Sequence, residues 1–465
     1  MLRRGPPAFA VVAWSLFCAW CVAGVAPCGD LPAHGAQLQV LAELLRGGPA
    51  REVFEAHLSV GYGLTTWLFA PVALVSSGEV AAKAASWLTL TAFPVCAGFL
   101  AHRLGRPWAL GVLAAPLGFS VSYWYGFLQT FTAGPLVLLA WALLCGHLAR
   151  PGWRSAAALA GLSLVVLLCH FMAFAALAMG ALTLALGAPS ARRAAAALAL
   201  VGAPGLLAVP RVVALAAPAA EGVAGPATRY NLDAHLLGVV KQYPLGARVS
   251  LWLYVGVLGL CGAWAAWRWW RERRWDPALG LAVGQLGLFA VMPDDLAGSW
   301  RVGVRLVVFV AVAALCAPPW PRVPRWLFAV PAVAVACLAQ VHVWFAREVE
   351  GLDAVIARPP PPGVHGGLLL TDAAPRGAWL ALLEHQPQWW TARWGGLGTH
   401  FFADASHQVV QLREGVPLPP ALRASTLAPA PLDAALVFGE GELPPELQEL
   451  TVVQVAGRWR RLERR

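Results

Sequence analysis

The most regular feature of the chain is a series of long apolar runs separated by short polar segments that are rich in arginine. Runs of about 20 apolar residues are typical of helices that cross a membrane. The runs occupy residues 8–26, 80–100, 107–120, 126–144, 194–216, 249–267, 277–292, 301–316 and 326–345, with two shorter runs between residues 154 and 192. This pattern predicts an α-helical polytopic membrane protein with about eleven transmembrane helices.

The arginine clusters between the runs set the predicted orientation. Arginine is enriched in loops that stay in the cytoplasm, and the strongest cluster is formed by Arg268, Arg271, Arg273 and Arg274. The short run at residues 60–75 is interpreted as external or re-entrant, because a crossing there would turn the later clusters outward. Residues 27–79 then form an outer loop, and residues 36–45 within it predict an amphipathic helix lying along the outer surface.

The tail after residue 345 changes character. Residues 347–356 are predicted to continue the last helix, and a proline-rich linker follows at residues 358–363. Residues 367–371, 434–438 and 450–455 have the composition of strands, and residues 377–385 that of a helix. The chain is therefore predicted to have a multi-pass domain at 1–345 and a small extracytoplasmic α/β domain at 346–465.

Composition supports a membrane protein and narrows its partners. The chain is 59% hydrophobic and 12% charged, with a mean hydropathy of +0.63, which predicts the lipid bilayer as its surroundings. The expected location is the inner (cytoplasmic) membrane. The net charge of +10 comes from arginines between apolar runs rather than from one basic face. A nucleic-acid partner is excluded on this basis, and nine cysteines in or beside apolar runs imply no disulfide framework.

The first polar stretch after the first run contains the best candidate for chemistry. In Cys28-Gly29-Asp30-Leu31-Pro32-Ala33-His34, one carboxylate and one imidazole stand at the predicted outer interface, where neighbouring groups tune the basicity of a carboxylate. Asp30 and His34 are the candidate catalytic pair. The alternative is structural: Asp30 ends the first helix, Pro32 stops it, and His34 is solvated.

Ionisable residues of the predicted membrane part gather at its outer side. They are Asp30, His34, Glu55, His57, His170, Asp294, Asp295, Arg301 and Arg305, and Arg229 stands in the outer loop after residue 216. Glu55, His57, His170, Arg229, Arg301 and Arg305 are the candidate substrate-binding residues. This asymmetry favours a site at one face of the membrane.

The arginines of the tenth run predict an anion site. Arg301 and Arg305 are four residues apart, hence on one face of a helix, and an intramembrane guanidinium needs a partner. That partner is either a carboxylate, such as Asp294 or Asp295, or a lipid-linked phosphate held by two hydrogen bonds. Asp294 and Asp295 are either ligands of a divalent cation or part of a solvated turn. His170 is either a buried structural histidine or part of the cavity.

The N-terminal span, the outer-loop Asp30 and the following helix together resemble the GT-C superfamily of polyprenol-phosphate-sugar-dependent glycosyltransferases. The stretch Tyr125-Gly126-Phe127-Leu128 and the turn at His170 are similar to uncharacterised bacterial multi-pass members of that group. The resemblance implies inverting transfer of a sugar from a polyprenyl phosphate to an extracytoplasmic acceptor, as part of cell-envelope chemistry. Asp30 would correspond to the catalytic acidic residue of the first outer loop.

A membrane transporter or an envelope-assembly scaffold is the competing interpretation. In such a protein the same polar residues line a path or brace helices, and short broken spans are compatible with that role. A transporter needs polar residues through the depth of the bilayer, whereas a transferase concentrates them at one face. The asymmetry of the ionisable residues therefore favours a transferase.

Overall fold

The computed structural model of the protein describes residues 8–57, 62–210, 245–293, 302–361, 363–369, 386–395, 397–398, 410–412, 432–439, 442–443 and 447–464. Helices dominate this part of the chain. In order they are α1 (Ala8–Ala23), α2 (Leu31–Arg46), α3 (Leu64–Val75), α4 (Gly78–Arg103), α5 (Leu110–Ala114), α6 (Val121–Trp124), α7 (Leu128–Ala149), α8 (Trp153–Cys169), α9 (Phe171–Ala185), α10 (Ala191–Gly202), α11 (Leu245–Glu272), α12 (Pro277–Val291), α13 (Val307–Cys316), α14 (Ala329–Glu348), α15 (Leu352–Val355) and α16 (Trp389–Trp394).

Several of these helices have the length and composition of membrane spans. Within the described ranges, five helical segments are long and apolar enough to cross a membrane: Gly78–Arg103, Leu128–Ala149, Ala191–Ala208, Leu251–Glu272 and Arg325–Glu348. Shorter apolar helices of 10–17 residues occupy most of the other predicted runs. The prediction of a helical protein with helices of membrane-spanning length and composition is confirmed. The number of spans stays a prediction.

Breaks in the helices fall at residues that disfavour a continuous helix. The predicted pair of short spans is present as α8 and α9, which are separated by His170 in an extended conformation. The third predicted span is broken, because α5 gives way to the 3₁₀ turn Ala115–Gly118, and proline at its second position has no amide hydrogen to donate.

The contacts of the chain divide it into two compact units. The first contains Met1–Cys18, Leu88–Ser122 and Thr130–Leu338, and the second contains Ala19–Trp87, Tyr123–Gln129 and Ala339–Arg465. The tail thus belongs to the same unit as the predicted outer loop. This grouping differs from the boundary that the sequence predicted at residue 345.

The core of the first unit is built on close approaches between helices. Trp141 of α7 packs edge-on against Phe309 of α13, with ring centroids 5.8 Å apart. A Cβ atom on Gly180 of α9 would lie 2.1 Å from the indole nitrogen of Trp141, so only glycine fits there. The buried amide of Gln285 donates a hydrogen bond to the carbonyl of Ala176 at 3.0 Å, which joins α12 to α9.

The centre of the second unit is α2, which differs from its prediction. The sequence predicted a surface helix at residues 36–45, but the helix begins at Leu31 and nearly all of its side chains are buried. Ala392 and Trp389 of α16 cover one side, with 3.0 Å between the Ala392 Cβ and an added Cβ on Gly35. The tail therefore covers a face that the local pattern assigned to the membrane surface.

A mixed five-stranded sheet forms the remainder of the described tail. Its order is β3 (Leu397–Gly398), β2 (Val364–Leu369), β5 (Ala434–Phe438), β7 (Trp459–Glu463) and β6 (Thr451–Ala456). β2 is parallel to β3 and β5, whereas β7 is antiparallel to β5 and β6. The strand predicted at 434–438 has the predicted bounds, that at 450–455 is shifted by one residue, and that at 367–371 begins earlier, at Val364. Residues 370–371 and the predicted helix at 377–385 lie outside the described residues.

The proline-rich linker is held by the sheet. Arg461 of β7 donates hydrogen bonds to the carbonyls of Val355 and Arg358, at 3.3 Å each, and to that of Pro359 at 2.9 Å. Its guanidinium also pairs with the carboxylate of Glu463. The linker is consequently part of the packed unit.

Candidate functional site

Asp30 lies where the chain enters α2. Helix α1 ends at Ala23, and Asp30 is the N-cap residue of α2 with φ −83° and ψ −4°. Its side chain makes no capping hydrogen bond. The alternative in which Pro32 stops a helix is wrong, because Pro32 stands in the first turn of α2, where the missing amide hydrogen costs nothing.

The Asp30 backbone is fixed by the turn at residues 123–126. The amide of Gly29 donates to the carbonyl of Trp124 at 2.8 Å, and the amide of Asp30 donates to that of Tyr125 at 2.7 Å. Gly126 has φ +73°, and a Cβ atom there would lie 2.4 Å from the amide nitrogen of Leu31. Gly126, in the stretch Tyr125-Gly126-Phe127-Leu128, thus allows the turn to approach the loop that contains Asp30.

Aromatic and histidine side chains support this loop within the same unit. The Tyr123 hydroxyl and His342 Nε2 are 2.9 Å apart, and the rings of Trp124 and His342 lie 5.8 Å apart. Cys28 is buried, which raises the pKa of its thiol, although a hydrogen bond with Tyr123 offsets part of that rise. Cys28 therefore supports the loop as a neutral thiol.

His34 follows Asp30 by one helical turn. Its amide donates to the Asp30 carbonyl at 3.0 Å, and its side chain is only 2% exposed. The alternative of a solvated His34 is therefore wrong. Burial in α2 places the imidazole among the residues that support the Asp30 loop.

Glu55 and His57 form a separate exposed pair. Glu55 is in β1 (Phe54–Ala56), which pairs with β4 (Val410–Leu412) of the tail. His57 Nε2 and Glu55 Oε1 are 2.9 Å apart, and both side chains are 44% exposed. Phe54 on the buried side of β1 packs with residues of α2, so the strand connects this pair to the helix that Asp30 begins.

A charged cluster that sequence reasoning missed lies at the start of α4. The Glu79 carboxylate accepts from Lys83 Nζ at 2.7 Å and from Arg393 Nε at 2.6 Å. Arg393 also donates to Asp353 at 2.8 Å, and Lys83 donates to the Ala23 carbonyl at 3.0 Å. The cluster joins the end of α1, the start of α4 and the tail, and its one sequence signal is Lys83 in a chain with almost no lysine.

His170 and Arg305 meet inside the first unit. Arg305 is 8% exposed and lies in the 3₁₀ turn Gly303–Leu306, with its Nη1 3.2 Å from His170 Nε2. The α-helix begins only at Val307, and because Arg301 lies outside the described residues, its predicted helical spacing from Arg305 stays a prediction. His170 is buried and caps α9, as expected of a structural histidine, and it also contacts the predicted anion-binding arginine.

The hydrogen bonds of His170 compete for one lone pair. Its Nδ1 accepts from the amide of Met172 at 3.1 Å, and a neutral imidazole accepts at one nitrogen while the other carries the proton. The tautomer that accepts at Nδ1 carries its proton on Nε2, the nitrogen nearer to Arg305.

Four predicted residues lie outside the described part of the chain. They are Arg229, Asp294, Asp295 and Arg301. Among the residues that the structure does describe, no group of three His, Cys, Asp or Glu side chains is placed to hold a metal ion. The divalent cation therefore stays a prediction.

Comparison with known proteins gives a structural match. No protein-family model matches the chain, and none of the curated proteins is similar to it in sequence. ArnT from Cupriavidus metallidurans, solved with bound undecaprenyl phosphate, superposes with a TM-score of 0.50 over 98% of this chain and 97% of that chain, at 12% identity. ArnT is a GT-C glycosyltransferase that depends on a polyprenol phosphate.

The chain has an ArnT-like fold. The resemblance to GT-C glycosyltransferases, which was predicted from the first helix, the Asp30 loop and the stretch at residues 125–128, is thus confirmed as a likeness of fold. The five long apolar helices of the described residues agree with that likeness. At 12% identity, the roles of individual residues rest on their geometry in this chain.

Proposed function

We propose that the protein is a membrane glycosyltransferase that transfers a sugar from a polyprenyl phosphate to an acceptor outside the cytoplasm. The observation that carries the proposal is the fixed Asp30 loop within an ArnT-like fold. Two backbone hydrogen bonds and the Gly126 approach hold one carboxylate at the start of α2. Such a held carboxylate is suited to proton transfer, which depends on position as well as on pKa.

In the proposed reaction Asp30 is the general base. Its carboxylate takes the proton of an acceptor hydroxyl as that oxygen attacks the anomeric carbon of the donor sugar. The bond between that carbon and the phosphate oxygen breaks, and the polyprenyl phosphate leaves with the electron pair. The positive end of the α2 dipole favours the ionised carboxylate, and His34 supports the same helical turn from its buried side.

The proposed phosphate site includes Arg305 and His170. The buried guanidinium of Arg305, which contacts His170, would donate hydrogen bonds to a phosphate oxygen. Charge-assisted hydrogen bonds of this kind stabilise the charge that develops on a departing phosphate. Arg229 and Arg301 are proposed as further phosphate or sugar contacts, and Asp294 and Asp295 as ligands of a divalent cation.

Glu55 and His57 are proposed to contact the acceptor. They are exposed on β1, which packs on α2. Their contact with each other leaves part of both side chains accessible to a polar partner. The tail, which is proposed to be extracytoplasmic, pairs with β1 through β4 and would thereby limit the access of acceptors.

The proposed function is tested by measuring whether the protein cleaves a lipid-linked sugar and transfers the sugar to an acceptor. The purified full chain is reconstituted in vesicles with a panel of undecaprenyl-phosphate-linked sugars and cell-envelope acceptors. Release of undecaprenyl phosphate that requires an acceptor is the expected result. Movement of the intact lipid-linked sugar across the bilayer without release would instead establish the transporter alternative.

A further inference from the structure

A cluster of arginine and tryptophan residues surrounds the end of α11. Five arginines stand there with two acidic residues: Arg106, Arg268, Arg271, Arg273 and Arg274 with Glu272 and Asp276. The segment at residues 268–276 therefore carries two more cations than anions, and Arg106 adds a further cation from the segment after α4. This cluster is separate from the Asp30 loop and from the contact between His170 and Arg305.

The two acidic residues are engaged by two of the arginines. Arg106 pairs with Asp276 at 2.5 Å and donates to the carbonyls of Cys316 and Ala317. The other oxygen of Asp276 accepts from the amide of Ala278 at 2.9 Å, so this pair is part of the framework. Arg268 pairs with Glu272 at 2.5 Å on the surface of the helix.

The remaining arginines are arranged beside exposed tryptophans. Arg271 lies over the ring of Trp267 at 5.5 Å, and Arg273 lies over that of Trp269 at 5.8 Å. Trp267, Trp269, Trp270 and Trp275 are all exposed in the protein. Tryptophan is enriched at the level of lipid headgroups, so this end of α11 has the composition of a membrane interface.

The backbone at this point is unusual. Arg273 has φ +53°, a conformation that glycine adopts at lower cost after a helix. Its amide still donates to the carbonyl of Trp269 at 2.8 Å. An arginine in this position keeps a cation where the helix ends, at a conformational cost that a glycine would avoid.

A polar cavity of about 220 Å³ lies between this helix end and the turn that follows. Its lining holds one more cation than anions, because it contains the Arg106–Asp276 and Arg268–Glu272 pairs together with Arg274, beside Trp269 and Trp275. Guanidinium groups with adjacent indole rings recognise an anionic phosphate beside apolar chains. The cavity is therefore complementary to a charged headgroup.

We propose that this cavity binds the headgroup of an anionic phospholipid from the adjacent leaflet. The cation excess selects an anion, while the exposed tryptophans and the apolar body of α11 select one attached to a hydrocarbon chain. The arginine cluster predicts that the leaflet is the cytoplasmic one. Lipid binding at this cavity does not require sugar transfer.

Native mass spectrometry of the full chain tests the proposal. The chain in detergent is titrated with phosphatidylglycerol, with phosphatidylcholine, and with phosphatidylglycerol in the presence of excess inorganic phosphate. The test variant is Arg268→Ala with Arg274→Ala, and the matched control is Arg150→Ala with Arg154→Ala, which removes the same charge from another basic segment beside the exposed Trp153.

The unaltered chain should retain phosphatidylglycerol. The test variant should bind this lipid about 30-fold more weakly, which is the typical effect of removing two arginines at a membrane surface. The control should change less than about threefold, because it lies outside the cavity. Arg268→Lys with Arg274→Lys keeps both charges and verifies that folding is not the cause. Equal losses in test and control, equal retention of phosphatidylcholine, or full displacement by inorganic phosphate would overturn the proposal.

Discussion

Replacing Gly126 by alanine should displace the Asp30 loop. Alanine at φ +73° costs about 1 kcal/mol in any setting. At this position the added Cβ would also lie 2.4 Å from the amide nitrogen of Leu31 and 2.7 Å from that of Asp30, atoms of backbone that cannot rotate away. Loss of the two loop hydrogen bonds adds about 1 kcal/mol each, which gives about 3 kcal/mol in total.

Gly105 provides a matched control for this substitution. It also has φ +73°, but nothing lies within 4 Å of an added Cβ. Gly105→Ala should therefore cost only the backbone term of about 1 kcal/mol and should leave sugar transfer unchanged. Unfolding titrations in detergent and acceptor-dependent release of undecaprenyl phosphate are measured for both variants. Equal stability losses, or full transfer activity in Gly126→Ala, would refute the role of the loop contact.

Three further predictions concern the tail and the topology. Arg393→Ala should destabilise the protein by about 3 kcal/mol, because it removes a partner from the buried carboxylate of Glu79. Asp353→Ala should cost less than about 1 kcal/mol, because the side chain of Asp353 is 65% exposed. The unfolding midpoints of the two variants are compared. Burial lowers the pKa of His365 from 6.5 to about 4, so the unfolded state binds the proton first and stability should fall by about 2 kcal/mol between pH 7 and pH 5, a loss that His365→Gln should reduce. Reporter fusions after Arg274 and Pro362 should report opposite sides of the membrane, and the same side for both would contradict the predicted orientation.

Sequence reasoning located the elements that depend on local pattern. The break between α8 and α9 at His170 followed from one polar residue in an apolar run, and β5 at Ala434–Phe438 followed from its apolar composition. The strand β7 was not predicted, because three of its five residues are charged and two of these are arginines. Its Trp459 and Leu462 are nevertheless fully buried in the sheet.

Contacts between distant parts of the chain could not be predicted in this way. Glu79 and Arg393 are separated by 314 positions, and neither has a neighbour in sequence that reveals the pair. The same limit applies to α2, whose polar residues indicate a surface helix although α16 of the tail covers it. The tail is accordingly not expected to fold as an isolated segment from residue 363.

The most direct test of the central claim is sugar transfer by Asp30→Asn. This change keeps the size of the side chain and removes its basic oxygen, so acceptor-dependent release of undecaprenyl phosphate should fall by about 10²- to 10⁴-fold while the unfolding midpoint stays the same. Glu52→Gln, which removes an exposed carboxylate from the same unit, should retain full activity. Full activity in Asp30→Asn would contradict the assignment of Asp30 as the general base.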